Sequence, residues 1–216
     1  MKPYYEHKGV TIYHGDCREL LPLLGHPDLI IADPPYGVRE QTNRKTKGRS
    51  NACESVDFKP VFGDDQPFDP SPLLAMDCPL VLFGGNHFSN SLPPSPSWIV
   101  WDKKEGGTPD DNADCELAWS NLGGPVRMYS HLWRGMIKGS ERGSRRVHPT
   151  QKPVALMAWI IHGHTKENQL IVDPYMGSGP VLLAAKNLSR RAIGIETEEE
   201  YCEAAAKRLS QEVFEF

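Results

Sequence analysis

A carboxylate, two prolines and a tyrosine follow one another directly after an apolar run, as Asp33-Pro34-Pro35-Tyr36. Proline has no backbone N–H and restricts the residue before it to extended geometry, so the chain should leave the predicted strand stiffly. The Asp33 carboxylate and the Pro34 carbonyl are then two hydrogen-bond acceptors held close together, and Tyr36 supplies a flat face for stacking. These groups fit an amino group on a planar ring, whose delocalised lone pair becomes nucleophilic when both N–H groups donate. The motif therefore predicts a catalytic clamp for the exocyclic amine of a base turned out of its stack.

A second motif, Gly177-Ser178-Gly179, separates an apolar run that ends near Asp173 from a helical pattern. Glycine lets the backbone turn sharply and approach a ligand closely. Glu196 ends the next apolar run about 20 residues later, the spacing at which an acidic residue reaches ribose hydroxyls. A dinucleotide site usually has a third glycine for the pyrophosphate, whereas Asp173 would repel a pyrophosphate and suits a cation. S-adenosylmethionine carries a sulfonium and an ammonium group, so we predict that this half of the chain binds S-adenosylmethionine.

Strands and helices alternate around these two motifs. Short apolar runs such as 28–34 and 170–175 predict strands covered on both faces of a sheet. The alternation indicates an α/β fold with a doubly wound, mostly parallel sheet. We predict strands over 10–16, 28–34, 79–85, 97–103, 115–121, 125–133, 170–175 and 191–196, and helices over 17–24, 154–163, 180–188 and 198–211.

The 216 residues fit a single domain. The clamp lies in a catalytic half over about 1–135 and the glycine turn in a cofactor half over about 148–216, with a short variable basic connection between them. The polar stretch over about 37–60 shows little periodicity. We predict that it is a mobile loop that closes on a nucleic acid.

The net charge of −4 does not by itself suggest a polyanion-binding protein. The basic residues are nevertheless clustered, and segregation of this kind can give a mildly acidic protein a basic face. Plain solvated loops explain either cluster equally well. The candidate DNA contacts are Arg39, Arg44, Lys45, Lys47 and Arg49 in the polar loop, and Arg134, Arg145 and Arg146 near the connection.

The five cysteines are odd in number and scattered, and none forms a Cys-x-x-Cys pair. Neither a disulfide framework nor a zinc site is indicated, and no metal is expected. There is no signal-peptide pattern and no apolar run of membrane-spanning length. We therefore expect a soluble protein from a reducing compartment, without a membrane partner.

The motifs resemble those of the amino-methyltransferases of DNA, which methylate the exocyclic nitrogen of adenine or cytosine. "DPPY" looks like their catalytic motif, "DPYMGSG" like their cofactor motif, and "HPTQKP" (148–153) like the segment that precedes it. "GDC" (15–17) and "WDK" (101–103), followed by "CELAWS", are also similar. The catalytic motif comes first, which resembles the beta-class arrangement of bacterial and phage enzymes. The resemblance implies a Rossmann-like methyltransferase fold with permuted motif order, located in the cytoplasm of a bacterial cell or phage-infected host.

The resemblance also implies roles by position. It places Asp16 and Cys17 near the cofactor's adenine, Thr150 and Lys152 near the methionine carboxylate, and Asp173 near the amino group. In one departure from the family, Pro180 replaces the usual Thr after the glycine turn. The implied cofactor-binding set is Asp16, Cys17, Asp33, Thr150, Lys152, Asp173, Tyr175, Gly177, Ser178, Gly179 and Glu196.

A second departure is that the region before "HPTQKP" is short, although the class often inserts its target-recognition domain there. We therefore expect low sequence specificity, a short recognition sequence, or recognition that is completed by a second subunit, as in a homodimer. The expected partner is duplex DNA with a flipped target base, and a cognate restriction endonuclease is a further candidate.

We favour adenine as the target, because the clamp opens with Asp and a serine opens it more often in the cytosine-N4 relatives. Cytosine-N4 is the alternative. RNA and protein-glutamine methyltransferases are less favoured, since their clamp usually follows the cofactor motif. A non-catalytic nucleic-acid-binding relative would be expected to have lost Asp33, Tyr36 or the glycine turn. The missing third glycine and Asp173 argue against a nicotinamide oxidoreductase.

Overall fold

The structure, a computed structural model, describes residues 2–39, 60–107, 113–134, 137–141, 147–148 and 150–211. Its strands are β1 (Tyr5–His7), β2 (Val10–His14), β3 (Leu29–Ala32), β4 (Leu80–Phe83), β5 (Trp98–Asp102), β6 (Cys115–Ser120), β7 (Arg127–Ser130), β8 (Trp133–Arg134), β9 (Ile137–Lys138), β10 (Leu170–Asp173) and β11 (Arg191–Glu196). Its α-helices are α1 (Cys17–Leu20), α2 (Ser71–Leu74), α3 (Val154–His164), α4 (Pro180–Asn187) and α5 (Glu199–Ser210).

Within the described ranges, nine strands form one sheet in the order β1-β2-β11-β10-β3-β4-β6-β5-β7. The five strands from β2 to β4 run parallel to one another. β6 is antiparallel to both β4 and β5, β1 is antiparallel to β2, and β7 is parallel to β5. β8 and β9 form a separate antiparallel pair. The predicted α/β fold with a mostly parallel sheet is confirmed.

Helices cover both faces of this sheet. All of β3 is buried. Its Leu29 and Ile31 pack into the core layer that contains α3, α4 and α5, whereas Ile30 and Ala32 pack into the layer that contains α1 and α2. Successive side chains of a strand point to opposite faces, so a strand between two helical layers must be apolar throughout. This explains the continuous apolar run that precedes the clamp.

The helix ends follow simple electrostatic and steric rules. α4 begins at Pro180, whose missing N–H is not needed in the first turn. α5 carries Glu199 and Glu200 in its first turn and Lys207 and Arg208 in its last turn. Acidic residues near the positive N-terminus and basic residues near the negative C-terminus both stabilise a helix.

Several elements differ from the prediction. The predicted strand over 125–133 is divided between β7 and the start of the short hairpin at β8. α1 ends after four residues and continues as a 3₁₀ turn, Leu21–Leu23, with Pro22 near its start. β1, β9 and α2 were not predicted, because each is too short to show a period. Most of the predicted mobile loop, 40–59, lies outside the described residues.

The sheet reverses its winding between β10 and β3. From β10 the chain continues through α4 to β11 on one side, and from β3 it continues to β4 on the other side. Parallel α/β sheets bind ligands at this switch point, outside the carboxyl ends of the strands. Asp173 ends β10 and Asp33 directly follows β3. The fold therefore brings the two sequence motifs to one crevice. Among the described helices, none combines the length and apolar character needed to cross a membrane.

Candidate active site

A cleft of about 1900 Å³ opens at the switch point. It is lined by the segments after β2, β3 and β10, by the end of β11, and by the segment before α3. Most of the predicted clamp and cofactor residues therefore share one cavity. Those that line it are Asp16, Cys17, Asp33, Pro34, Pro35, Tyr36, Thr150, Lys152, Asp173, Tyr175, Gly177, Ser178 and Glu196.

The Asp33 carboxylate has one donor on each oxygen. The Lys152 Nζ donates to Oδ2 over 2.6 Å, and the Tyr36 hydroxyl donates to Oδ1 over 2.5 Å. A carboxylate offers about four acceptor positions, so about two remain on Asp33 beyond the donors among the described residues. The family resemblance implies that Lys152 lies near the cofactor carboxylate, and this role stays a prediction; in the structure its ammonium is paired with Asp33.

Lys152 is part of a chain of alternating charges. Its Nζ is also 3.2 Å from Glu116 Oε2, and Glu116 Oε1 accepts from Lys103 Nζ over 2.7 Å. Burial by itself would lower the pKa of Lys152, which is only 5% exposed, but the Asp33 and Glu116 carboxylates raise it well above the usual value. Burial would raise the pKa of Glu116, but Lys152 and Lys103 lower it to about 2. Lys152 and Glu116 are therefore both charged, and the charge of each is balanced by its neighbours.

The Tyr36 ring is held by its neighbours. It stacks on His87 at a centroid distance of 5.0 Å and an interplanar angle of 13°. Burial and the Asp33 carboxylate raise the pKa of Tyr36 well above its usual value, so its hydroxyl stays a donor. His87 occupies one ring face, and the Lys152 ammonium lies 5.8 Å from the ring centroid.

A buried carboxylate fixes the segment that leaves the clamp. Asp64 Oδ1 accepts from the backbone N–H of Gly37 over 2.8 Å and from that of Val38 over 3.2 Å. The Arg39 N–H donates to the Asp64 carbonyl over 3.1 Å. The clamp is thus anchored by prolines at one end and by Asp64 at the other.

The glycine turn after β10 is bonded to the end of β11. Gly177 N–H donates to Glu196 Oε2 over 2.9 Å, and Glu198 N–H donates to Oε1 over the same distance. Gly177 has a φ of +48°, and a Cβ there would be 3.3 Å from the His148 ring. Burial raises the pKa of Glu196, although the hydrogen bonds from these backbone N–H groups partly lower it. Gly179 lies behind the turn, where a Cβ would be 3.1 Å from Ala205 Cβ.

Asp173 is a buried acid, with only 3% of its surface exposed. Burial raises its pKa well above the usual value, and the nearby Asp33 and Glu196 carboxylates raise it further. Oδ1 accepts a single described hydrogen bond, from the Tyr175 N–H over 3.1 Å. Burial without a cationic partner favours the neutral form of such an acid, and a cation beside it would favour the ionised form.

Two further predicted positions border the cofactor side of the cleft. Asp16 caps α1 and is bound by Arg18, whose backbone N–H and guanidinium lower the pKa of the carboxyl. Thr150 Oγ1 lies 3.2 Å from His148 Nδ1, and the His148 ring packs edge-on against Tyr201 at 4.5 Å.

The residues present fit S-adenosylmethionine. The buried, cation-seeking Asp173 suits an ammonium group, and Glu196 keeps acceptor positions for hydroxyls beyond those that the backbone fills. Gly177 has no side chain, so a ligand in the cleft can approach the backbone of the turn closely. These features agree in chemistry with the cofactor predicted from sequence.

The predicted DNA contacts are less well represented. Arg39 is exposed beside the clamp, and Arg134 lies in β8. The others, Arg44, Lys45, Lys47, Arg49, Arg145 and Arg146, lie outside the described residues. These contacts stay predictions, as do the homodimer, the cognate endonuclease and the cytoplasmic location.

Sequence reasoning missed the roles of Glu116, Lys103, His87 and Asp64. Glu116 gave one usable signal, because it is an acidic residue inside an otherwise apolar strand pattern and such a residue needs a buried partner. The other three follow strand ends or lie in loops, and their sequence context carries no comparable signal.

Comparisons with known proteins agree with the site. The family model described as DNA methylase, N6_N4_Mtase, matches residues 102–207. The Type II methyltransferase M2.LlaDCHI of Lactococcus lactis subsp. cremoris is 28% identical, over 97% of this chain and 93% of the relative. The Type II methyltransferase M2.MboI of Moraxella bovis is 27% identical, over 98% of this chain and 92% of the relative.

Solved structures share the fold. The crystal structure of the M1.HpyAVI–SAM complex matches with a TM-score of 0.57 and 25% identity, over 94% of this chain and 100% of that one. The PvuII DNA methyltransferase (cytosine-N4-specific) matches with a TM-score of 0.67 over 99% of this chain and 91% of that one, but at 17% identity, which supports the fold alone. A sheet of this topology with its cleft at the switch point is that of the S-adenosylmethionine-dependent methyltransferases. The matched family model and these relatives support a DNA methyltransferase, of the kind that modifies adenine-N6 or cytosine-N4.

Proposed function

We propose that this DNA methyltransferase acts on the exocyclic N6 amino group of adenine in duplex DNA. The observation that carries the proposal is the position of Asp33, at the switch point between two strands, with two donors orienting its carboxylate and about two acceptor positions remaining. An acidic residue at the start of the clamp favours adenine over cytosine, where serine is the more usual residue.

The cofactor half of the cleft would hold S-adenosylmethionine through a small set of residues. S-adenosylmethionine, when bound, supplies the electrophilic methyl group. Asp173 would bind its ammonium group and Glu196 its ribose hydroxyls, since both acids lie at the ends of adjacent strands. Asp16 and Cys17 would border the adenine, and Thr150 would lie on the methionine side.

Asp33 and the Pro34 carbonyl would accept hydrogen bonds from the two N–H groups of the target amine. Two acceptors in fixed positions favour a more tetrahedral nitrogen and so release its lone pair for attack. The nitrogen would form its bond to the methyl carbon as the carbon–sulfur bond of the sulfonium breaks, which leaves a neutral thioether, and one N–H proton would be released to solvent. Asp33 would accept the N–H hydrogen bond that strengthens as positive charge develops on the nitrogen. Tyr36 and Lys152 orient the carboxylate, so that little reorganisation is needed during the reaction.

The test is to react DNA with isotopically labelled S-adenosylmethionine, digest it to nucleosides and identify the labelled one by mass spectrometry. Asp33→Ala should lower turnover about 100- to 1000-fold, the usual cost of removing one preorganised polar partner. Its affinity for the cofactor should change little, because the loss falls on the transition state. Asp65→Ala is the matched control, since Asp65 is an exposed acid close in sequence to the cleft rim.

Labelled N4-methylcytosine would refute the choice of adenine and leave the clamp chemistry intact. An Asp33→Ala enzyme as active as Asp65→Ala would refute the clamp itself.

A further inference from the structure

Two apolar side chains stand exposed on the rim of the cleft, beside the clamp. Phe62 is 67% exposed and Val38 is 46% exposed. Both line the cleft. A single exposed apolar residue is ordinary on a protein surface, but two together at the mouth of a functional cleft indicate an interaction surface.

The backbone that carries these side chains is rigidly attached to the clamp. Asp64 accepts hydrogen bonds from Gly37 and Val38, and its own N–H donates to the Val61 carbonyl over 3.3 Å, which closes a tight turn around Phe62. A Cβ at Gly63 would lie 3.5 Å from Pro35 Cγ. The backbone of Phe62 is therefore held at a fixed position relative to Asp33-Pro34-Pro35-Tyr36, and its side chain is exposed.

We propose that Phe62, supported by Val38, is the wedge that enters the duplex and occupies the space left by the flipped target base. This inference rests on the proposed function, since it requires a paired base to be extruded into the clamp. The occupant of the apolar rim is thus the base stack on either side of the target.

The chemistry of the rim favours this occupant. Extruding a base leaves a gap whose walls are the flat faces of its neighbours, and apolar or aromatic side chains fill such gaps in other nucleic-acid complexes. An aromatic ring also stacks on any base, so a wedge of this kind does not depend on the flanking sequence. The Asp64 contacts fix the distance between Phe62 and the clamp. Phe62 can therefore enter the duplex at the same time as the clamp captures the extruded base.

The test compares two duplexes that contain the site methylated by the wild-type enzyme, mapped beforehand at single-base resolution. In one duplex the target base is paired, and in the other it stands opposite an abasic position, where extrusion costs least. Phe62→Ala should lower kcat/KM roughly 10- to 100-fold on the paired duplex and stay close to wild type on the unpaired one. Phe62→Trp should retain activity on both. Leu23→Ala is the control, because Leu23 is 68% exposed but lies in the 3₁₀ turn after α1.

A second measurement places 2-aminopurine at the target position, where its fluorescence rises on unstacking. Wild type and Leu23→Ala should give the rise, and Phe62→Ala should give a smaller one. An equal loss of Phe62→Ala activity on both duplexes, or no loss on either, would overturn the wedge. If mapping instead finds methylated cytosine, the adenine proposal fails, while the same pair of duplexes built around that cytosine still decides the role of Phe62.

Discussion

Replacing Gly84 by alanine should disable the clamp without touching the cofactor side of the cleft. Gly84 follows β4 with a φ of +71°, and a Cβ built there lies 2.1 Å from Tyr36 Cε1 and 2.4 Å from Cδ1. Ordinary van der Waals contact begins at 3.4 Å. The Tyr36 ring would therefore have to move by on the order of 1 Å, a displacement that can cost about 100-fold in rate when it affects a catalytic geometry.

The expected loss of stability has two parts, and the chain contains a control for one of them. A positive φ costs a residue with a Cβ roughly 1–2 kcal/mol. Gly123 has a φ of +74° and no heavy atom within 4 Å of its built Cβ, so Gly123→Ala measures this backbone part alone. Gly84→Ala should cost about 1–3 kcal/mol more, the usual range for overpacking.

The assay measures three quantities for both variants: the free energy of unfolding, the affinity for S-adenosylmethionine and turnover on DNA. Gly84→Ala should lose about 100-fold in turnover, with little change in cofactor affinity, and Gly123→Ala should keep both. If Gly84→Ala retained wild-type turnover and were no less stable than Gly123→Ala, the position of the Tyr36 ring, and with it the clamp geometry, would be wrong.

Two further predictions concern the buried acids. The pKa of Glu116 is about 2 in the folded chain, against 4.5 for the free side chain. The ionised Glu116 therefore stabilises the folded state by about 3 kcal/mol. This contribution is fully present above pH 4.5 and is lost as the pH falls toward 2. In denaturant titrations across this range, Glu116→Gln should show a flatter dependence of unfolding free energy on pH, and an unchanged slope would contradict the ion-pair chain. The pKa of Asp173 is raised by burial, so binding of a cationic cofactor should release a proton and strengthen as the pH rises. Calorimetry in two buffers of different ionisation enthalpy should give different binding heats for wild type and similar heats for Asp173→Asn, and equal heats for wild type would refute the proton release.

The central strands and the two motifs were predictable because a strand that is buried on both faces has a continuous apolar sequence. β3, β4 and β10 lie between two helical layers, so both of their faces must be apolar and their runs are continuous. Polar residues directly after such runs must lie at the carboxyl edge of the sheet. Asp33 and Asp173 were found by this reasoning.

The pairing of side chains across the cleft was not predictable in the same way. Lys152 meets Asp33 across 119 residues of sequence, and Glu116 reaches Lys152 from an antiparallel strand on the far side of β4. Such contacts depend on strand order and on the path of loops, which residue periodicity does not encode. The short elements β1 and α2 were missed for a related reason, since three or four residues cannot display a period.

The carboxylates of the cleft and the buried Lys152 link the expected cofactor to the geometry of the clamp. Asp33, Asp173 and Glu196 face the same cavity, and their mutual repulsion contributes to the raised pKa of Asp173. Lys152 cannot neutralise all of them, because its charge is already shared between Asp33 and Glu116. A ligand bearing positive charge would supply the missing balance and allow Asp173 to ionise. The same paired Lys152 orients the Asp33 carboxylate, so this buried lysine affects both the proposed cofactor side and the proposed amine-binding side of the cleft.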